Sequence, residues 1–364
     1  MKKQGGAKKS FLNINLDIVP ATKVELVIFA KHLSLMLKSG LAITQALKVL
    51  YQSSQGKFHD LVGEIYNAVK AGRSLAETLK RYPKIFGSFF IGAIYAGESS
   101  GTLDRSLANV ADQLKKEKEL ADKIKGALMY PVIILITGFG MSLFLAFYIL
   151  PKITPLFVGM KMELPWTTRA LIAFSHLVEN YGTVMLVAII LGVGCLVWLA
   201  RQKFSQPFFH KILISLPVVK DIVRHANLAR FARTLGTLLA SGLNIVEALT
   251  ITANTATNYY YHQALLAAGK TTNKGNRLSD GLAKFRDLFP DMAIRMIAVG
   301  EESGKLEETL FYLADFYETE VDNSTKNLST LVEPILLVLI GLGVGFLALS
   351  IITPIYSITG NVSR

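Results

Sequence analysis

The stretch Gly97-Glu98-Ser99-Ser100-Gly101-Thr102-Leu103 recurs as Gly300-Glu301-Glu302-Ser303-Gly304-Lys305-Leu306, an offset of 203 residues. Flanking landmarks keep that offset: Gly72 matches Gly275, Leu75 matches Leu278, Phe86 matches Phe289, and Tyr130-Pro131 matches Glu333-Pro334. Further upstream the offset is 202, where Phe29-Ala30-Lys31-His32-Leu33 matches Phe231-Ala232-Arg233-Thr234-Leu235. Ser39-Gly40-Leu41 matches Ser241-Gly242-Leu243 in the same register, so one residue of loop length separates the copies. A fold for this chain must contain one unit twice, each copy followed by an apolar segment.

The apolar residues, 51% of the chain, are gathered in blocks. Residues 127–150 carry no charge and at 1.5 Å per residue can cross a hydrocarbon core ~30 Å thick. Pro131 is expected in the first turn of that span, where a missing N–H costs little, and Pro151 at its end. Residues 182–200 form a second uncharged span. Residues 331–353 form a third, with Glu333 at its entrance and Pro354 at its end. Between the first two, residues 151–181 are expected to be a short external loop, marked by Pro155, Pro165 and Trp166. An interfacial helix is expected at Ala170–Val178.

The rest is helical in pattern. Thr22-Lys23-Val24-Glu25 is a capping box, and Phe29, Leu33, Met36 and Leu37 follow it as one apolar stripe. A second box, Ser74-Leu75-Ala76-Glu77, opens a short helix that ends near Tyr82-Pro83. No alternating strand pattern with hairpin turns occurs. The class is therefore all-α: two repeated bundles of about six helices each, at 22–126 and 201–330, and three transmembrane helices. Residues 1–21 read as a basic flexible tail, because Asn and Asp interrupt every apolar pair after Lys9. Residues 354–364 read as a short external tail.

Charge placement sets the expected topology. Lys and Arg number 20 in residues 1–127, three in 151–170 and 15 in 201–330. The positive-inside rule puts the tail and both bundles in the cytoplasm and the C-terminus outside. The net charge of +12 then reads as a topology signal and an anionic-lipid contact, with no nucleic acid bound directly.

Chemical motifs are weak. Ala264 to Thr272 ends in Gly269-Lys270-Thr271, but the first glycine of a phosphate loop is Ala264 and the preceding residues are helical, so this is a helix end. The six histidines and the one cysteine, Cys195, show no metal spacing. No catalytic triad or nucleophile elbow is present, so neither catalytic residues nor cofactors are expected. Gly97, Gly101, Gly300 and Gly304 read as helix-ending turns, with Leu103 and Leu306 anchoring the next helix in the core. Glu98 and Glu301 are candidates to accept from free helix N–H groups. The same turns, if exposed, are candidate partner contacts. Lys115, Lys116, Glu307 and Glu308 are further candidates, against the plainer reading of a solvated face. In the third span Gly341 and Gly345 form a G-x-x-x-G helix-packing face.

The duplicated F-A-[KR]-x-L and S-G-L blocks, the duplicated G-E-x-S-G-x-L turns and the Tyr130-Pro131 and Glu333-Pro334 membrane entries resemble the type II secretion F / type IV pilus platform family. That resemblance implies a non-enzymatic, homo-oligomeric inner-membrane platform. It implies a cytoplasmic hexameric secretion ATPase, pilins or pseudopilins and other assembly proteins as partners. The alternative is a small transporter or channel with cytoplasmic regulatory domains, disfavoured by spans whose interiors carry no charge.

Overall fold

A computed structural model describes residues 21–149, 152, 166–202, 204–216 and 219–362. The expected tail at 1–20, Pro151 and the loop carrying Pro155 and Pro165 lie outside the described residues. Among the described residues there is no strand. In chain order the helices are α1 (Lys23–Lys38), α2 (Ile43–Ser53), α3 (Gly56–Lys70), α4 (Leu75–Leu79), α5 (Pro83–Ser100) and α6 (Leu103–Phe144). After a π-helical turn at Leu145–Ile149 come α7 (Trp166–Arg201), α8 (Gln206–Ser215) and α9 (Lys220–Ala240). The last are α10 (Ile245–Thr255), α11 (Tyr259–Thr272), α12 (Leu278–Leu282), α13 (Asp291–Ser303) and α14 (Leu306–Val362).

Two compact units form. The first comprises the residues up to Lys116 together with Thr237–Ile251; the second comprises Glu117–Gly236 and Thr252 onward. In the first unit, the Thr22 hydroxyl accepts from the Glu25 N–H (3.3 Å) while Glu25 accepts from the Thr22 N–H (2.7 Å), the reciprocal start expected for α1. The core is aromatic: Phe29 lies 6.1 Å from both Phe58 and Phe86, and Phe86 lies 5.0 Å from Phe90. The Ser34 hydroxyl donates to the Asp104 carbonyl (2.7 Å), pinning α1 to the start of α6. Ile251 packs on Gly92 so closely that a Cβ there would sit 2.5 Å from its Cδ1, one contact that joins Thr237–Ile251 to this unit.

The second unit repeats the core with Phe231, Tyr261 and Phe289, the sequence counterparts of Phe29, Phe58 and Phe86. The rings lie 5.3 and 5.4 Å apart. Tyr261, nearly fully buried, donates its hydroxyl to the Leu288 carbonyl (2.9 Å), as a phenol removed from water must. Here α9 and α14 are joined by a feature the first repeat lacks. Arg233, 7% exposed, donates through Nε and Nη2 to Glu318 (3.0 and 2.7 Å) and pairs with Asp315. Its counterpart Lys31 is exposed. Lys123 on α6 pairs with Asp322 on α14 (2.7 Å).

Among the described residues, three helices are long and apolar enough to cross a membrane, within Leu103–Met141, Asn180–Ala200 and Leu306–Ser350, and the chain is a membrane protein. Three expectations about these helices are corrected. The charged helix and the first span are one continuous helix, α6, so Pro131 sits deep in its interior and not in a first turn. In the same way α14 runs through Glu333-Pro334 and on past Pro354, which does not end it. Neighbouring helices and local adjustment satisfy the carbonyls that a proline frees, so an apolar helix tolerates it. The interfacial helix expected at 170–178 is likewise no separate element; α7 is unbroken from Trp166 to Arg201.

The spans meet through contacts the sequence did not advertise. Thr168, fully buried, donates to the Ser350 carbonyl (2.8 Å), linking α7 to α14. A Cβ at Gly182 would fall 2.3 Å from the Phe147 ring. Gly341 and Gly345, the expected packing face, have nothing within 4 Å of where a Cβ would stand.

Replacing one partner of a buried ion pair leaves the other charge unpaired. Arg233→Met is expected to cost about 2 kcal/mol, the bare Glu318 carboxylate supplying most of it. Thermal unfolding in detergent checks this: Arg233→Met with Glu318→Met should regain most of the loss, and Lys31→Met should cost less than about 0.5 kcal/mol.

Candidate functional site

The two repeated turns share one geometry. At the end of α5 the Thr102 N–H donates to the Gly97 carbonyl (2.9 Å) and the Gly101 N–H to the Glu98 carbonyl (3.4 Å). At the end of α13 Lys305 donates to Gly300 (2.9 Å) and Gly304 to Glu301 (3.4 Å). This is the Schellman closure, which needs a left-handed residue at its corner. Gly101 (φ 72°) and Gly304 (φ 69°) supply it.

The first glycine of each turn does a different job. Gly97 and Gly300 lie within their helices, where the next helix crosses at close range. A Cβ on Gly97 would stand 2.5 Å from Ser106 Oγ and 3.1 Å from Leu103 Cα. On Gly300 it would stand 2.7 Å from Thr309 Oγ1 and 3.2 Å from Leu306 Cα. Leu103 and Leu306 are only half-buried, so the expectation that they anchor the next helix is corrected. The anchors are Leu107 and Leu310, one turn further on and fully buried. A side chain at the first helical position still faces the turn; the core stripe begins a turn later.

Between the glycines, the carboxylates reach back across the fold. Leu75 and Ala76, the first residues of α4, donate their N–H groups to Glu98 (2.5 and 2.8 Å). Leu278 and Ser279, the first of α12, donate theirs to Glu301 (2.6 and 3.0 Å), and the Ser279 hydroxyl adds a third bond (2.6 Å). A five-residue helix cannot sustain itself, and its first N–H groups have no partner within it. In α4 the Ser74 hydroxyl accepts from the Glu77 N–H (3.0 Å), and Glu98 serves the donors nearer the start. In α12 Arg277 provides no side-chain cap, and Glu301 provides it from a distance.

The remaining turn residues face solvent: Ser99, Ser100, Gly101 and Thr102 in one copy, Glu302, Ser303, Gly304 and Lys305 in the other. Glu302 pairs there with Arg277 (2.5 Å). Each turn therefore has a hydrogen-bonded base and a polar exposed tip. Lys115, Glu307 and Glu308 are exposed, Lys116 half so, and Glu308 is 3.6 Å from Lys305. The segment ending Gly269-Lys270-Thr271 is the C-terminal part of α11, with Gly269 buried and Lys270 exposed. Tyr130, Glu333 and Pro334 are exposed and Pro131 is buried along α6 and α14. Burial raises the pKa of Tyr82 to about 12, with its bond to Glu64 adding to the effect, and burial lowers those of His210 and His225.

Sequence reasoning did not single out Arg233. Its signal was a basic residue inside the apolar stripe of Phe231, Ala232 and Leu235, with Asp315 and Glu318 three apart on a later helix.

The model of the type II secretion system protein F family matches this chain twice, at residues 29–151 and 231–354. A type IV pilus assembly protein PilC from Thermus thermophilus is 35% identical over 93% of this chain and 84% of its own. A PilC from Myxococcus xanthus is 32% identical over 98% of this chain and 86% of its own. The type II secretion system protein F of Vibrio cholerae is 30% identical over 93% of this chain and 84% of its own. The chain belongs to the type II secretion system protein F family, whose members include proteins of pilus assembly and of secretion.

Glu98→Gln and Glu301→Gln keep the shape and remove the charge. Each is expected to cost about 1 kcal/mol. Hydrogen exchange should quicken at the amides of Leu75 and Ala76, or of Leu278 and Ser279, and unchanged exchange there would show that the carboxylates do not hold those helix starts.

Proposed function

We propose that this protein is a non-enzymatic platform in the inner membrane of a type IV pilus, competence pilus or type II secretion machine. It couples the nucleotide-driven motion of a cytoplasmic hexameric ATPase to insertion or extraction of pilin or pseudopilin subunits. The observation that carries the reading is the continuity of α6 and α14. Each begins at a repeated turn, at Leu103 or Leu306, and continues unbroken into an apolar span. At 1.5 Å per residue, α6 alone reaches about 60 Å. A displacement at the exposed turn tip moves such a helix along its length, because its backbone hydrogen bonds leave few soft dihedrals.

In this reading the bundles at 22–126 and 201–330 face the cytoplasm, the C-terminus is external, and copies of the chain assemble into a homo-oligomer. The repeated turn tips meet the ATPase or another cytoplasmic assembly protein. The unpartnered Gly341 and Gly345 face meets a second copy or a pilin, since small residues let helices approach closely.

Photo-crosslinkers at Ser99 and Ser303, and at Gly341, test this in native membranes. The expected products join the first two positions to a secretion-type ATPase and the third to a pilin-like protein or another copy. Recovery of none of these, with nucleotide hydrolysis or solute flux by the purified protein, would overturn it.

A further inference from the structure

The short helix α8 is amphipathic the wrong way round for a helix in water. Phe204, in the turn before it, is 98% exposed, Phe208 66%, Ile212 39% and Leu216, just after it, 45%. Their spacing of four places them on one face. No residue of the helix is buried. The opposite side is held by polar bonds. The Tyr259 N–H donates to His210 Nδ1 (3.0 Å), and the Tyr260 hydroxyl donates to the Pro207 carbonyl (3.3 Å). The side against the protein is thus hydrogen-bonded, and the side turned away is aromatic and aliphatic.

Position says what covers it. The helix begins at Gln206, five positions after α7 ends at Arg201. Five residues span at most about 18 Å, so α8 cannot leave the neighbourhood of the membrane surface at which its span emerges. Charge agrees. Between Arg201 and Lys220 the sequence carries Lys203 and Lys211 and no acidic residue, and Lys211 is exposed. Apolar face, cationic flanks and attachment to a span together describe a helix lying in an anionic lipid interface.

We propose that α8 is a membrane-surface anchor. Phe204, Phe208, Ile212 and Leu216 enter the region between headgroups and acyl chains, and Lys211 meets lipid phosphates. Through His210 and Pro207 the anchor fixes the start of α11 at a set depth, so the second unit is tied to the bilayer surface as well as to its spans. The inference requires only that α7 crosses the membrane and is independent of the platform's partners.

Cys195 is the sole cysteine, so Cys195→Ser gives a clean background for single spin labels on the full chain. Labels at Phe208→Cys and Ile212→Cys are read in vesicles of phosphatidylcholine with phosphatidylglycerol, with Val187→Cys in α7 as the in-membrane reference. Collision with oxygen is compared with collision with a water-soluble nickel complex. The anchor predicts several-fold more oxygen than nickel contact at positions 208 and 212, approaching the ratio at 187, and the reverse at Lys211→Cys. Free access of nickel to 208 would place the face in water. Exclusion of both reagents would mean that protein covers it. Either result overturns the proposal.

Discussion

Each repeat is built on one interaction, a carboxylate closing the start of a five-residue helix that lies 22 or 23 residues upstream in the chain. Without Glu98 or Glu301, the first N–H groups of α4 or α12 would lose their partners in a half-buried setting, where an unmade hydrogen bond is costly. The carboxylate also ties that helix to the turn that launches α6 or α14. Local capping, long-range packing and the origin of the membrane helix therefore rest on the same few atoms. This is why glycine, glutamate and glycine recur at the same spacing in both copies.

The duplication made much of this legible. Repeated turns, caps and aromatic positions pointed to an all-α chain of two bundles and three long apolar helices. The carboxylate's role as acceptor could be anticipated from the free N–H groups at helix starts. Which helix it serves could not, because a separation of over 20 residues has no periodic signature. Proline misled for a physical reason. As a helix breaker in water it suggested boundaries at Pro131 and Pro354, whereas α6 and α14 run through both. Gly341 and Gly345 carry the recognisable spacing and have nothing within 4 Å of where a Cβ would stand, whereas Gly182 of α7 lies hard against Phe147. Spacing shows which residues share a face and says nothing of what the face meets.

The copies are not equivalent, and the differences are concentrated in the second. Its α9 and α14 share the Arg233 ion pairs, where the first has an exposed Lys31. Its short α8 turns apolar residues outward beside a span. A duplicated unit can specialise in this way: both copies keep an aromatic core, and the second adds charge pairing that binds it to its membrane helix.

The central claim is mechanical, that a turn and its membrane helix move as one body. It is tested most directly by breaking α14 between the bundle and the span. A flexible insertion of several glycines and serines after Thr330, past the buried Thr325 and Leu328, leaves both parts able to fold while uncoupling them. The account predicts that this variant inserts into the membrane at normal levels and no longer supports pilus assembly or secretion in its host, whereas an insertion of one helical turn of alanines retains part of that activity. Full activity with the flexible insertion would contradict it.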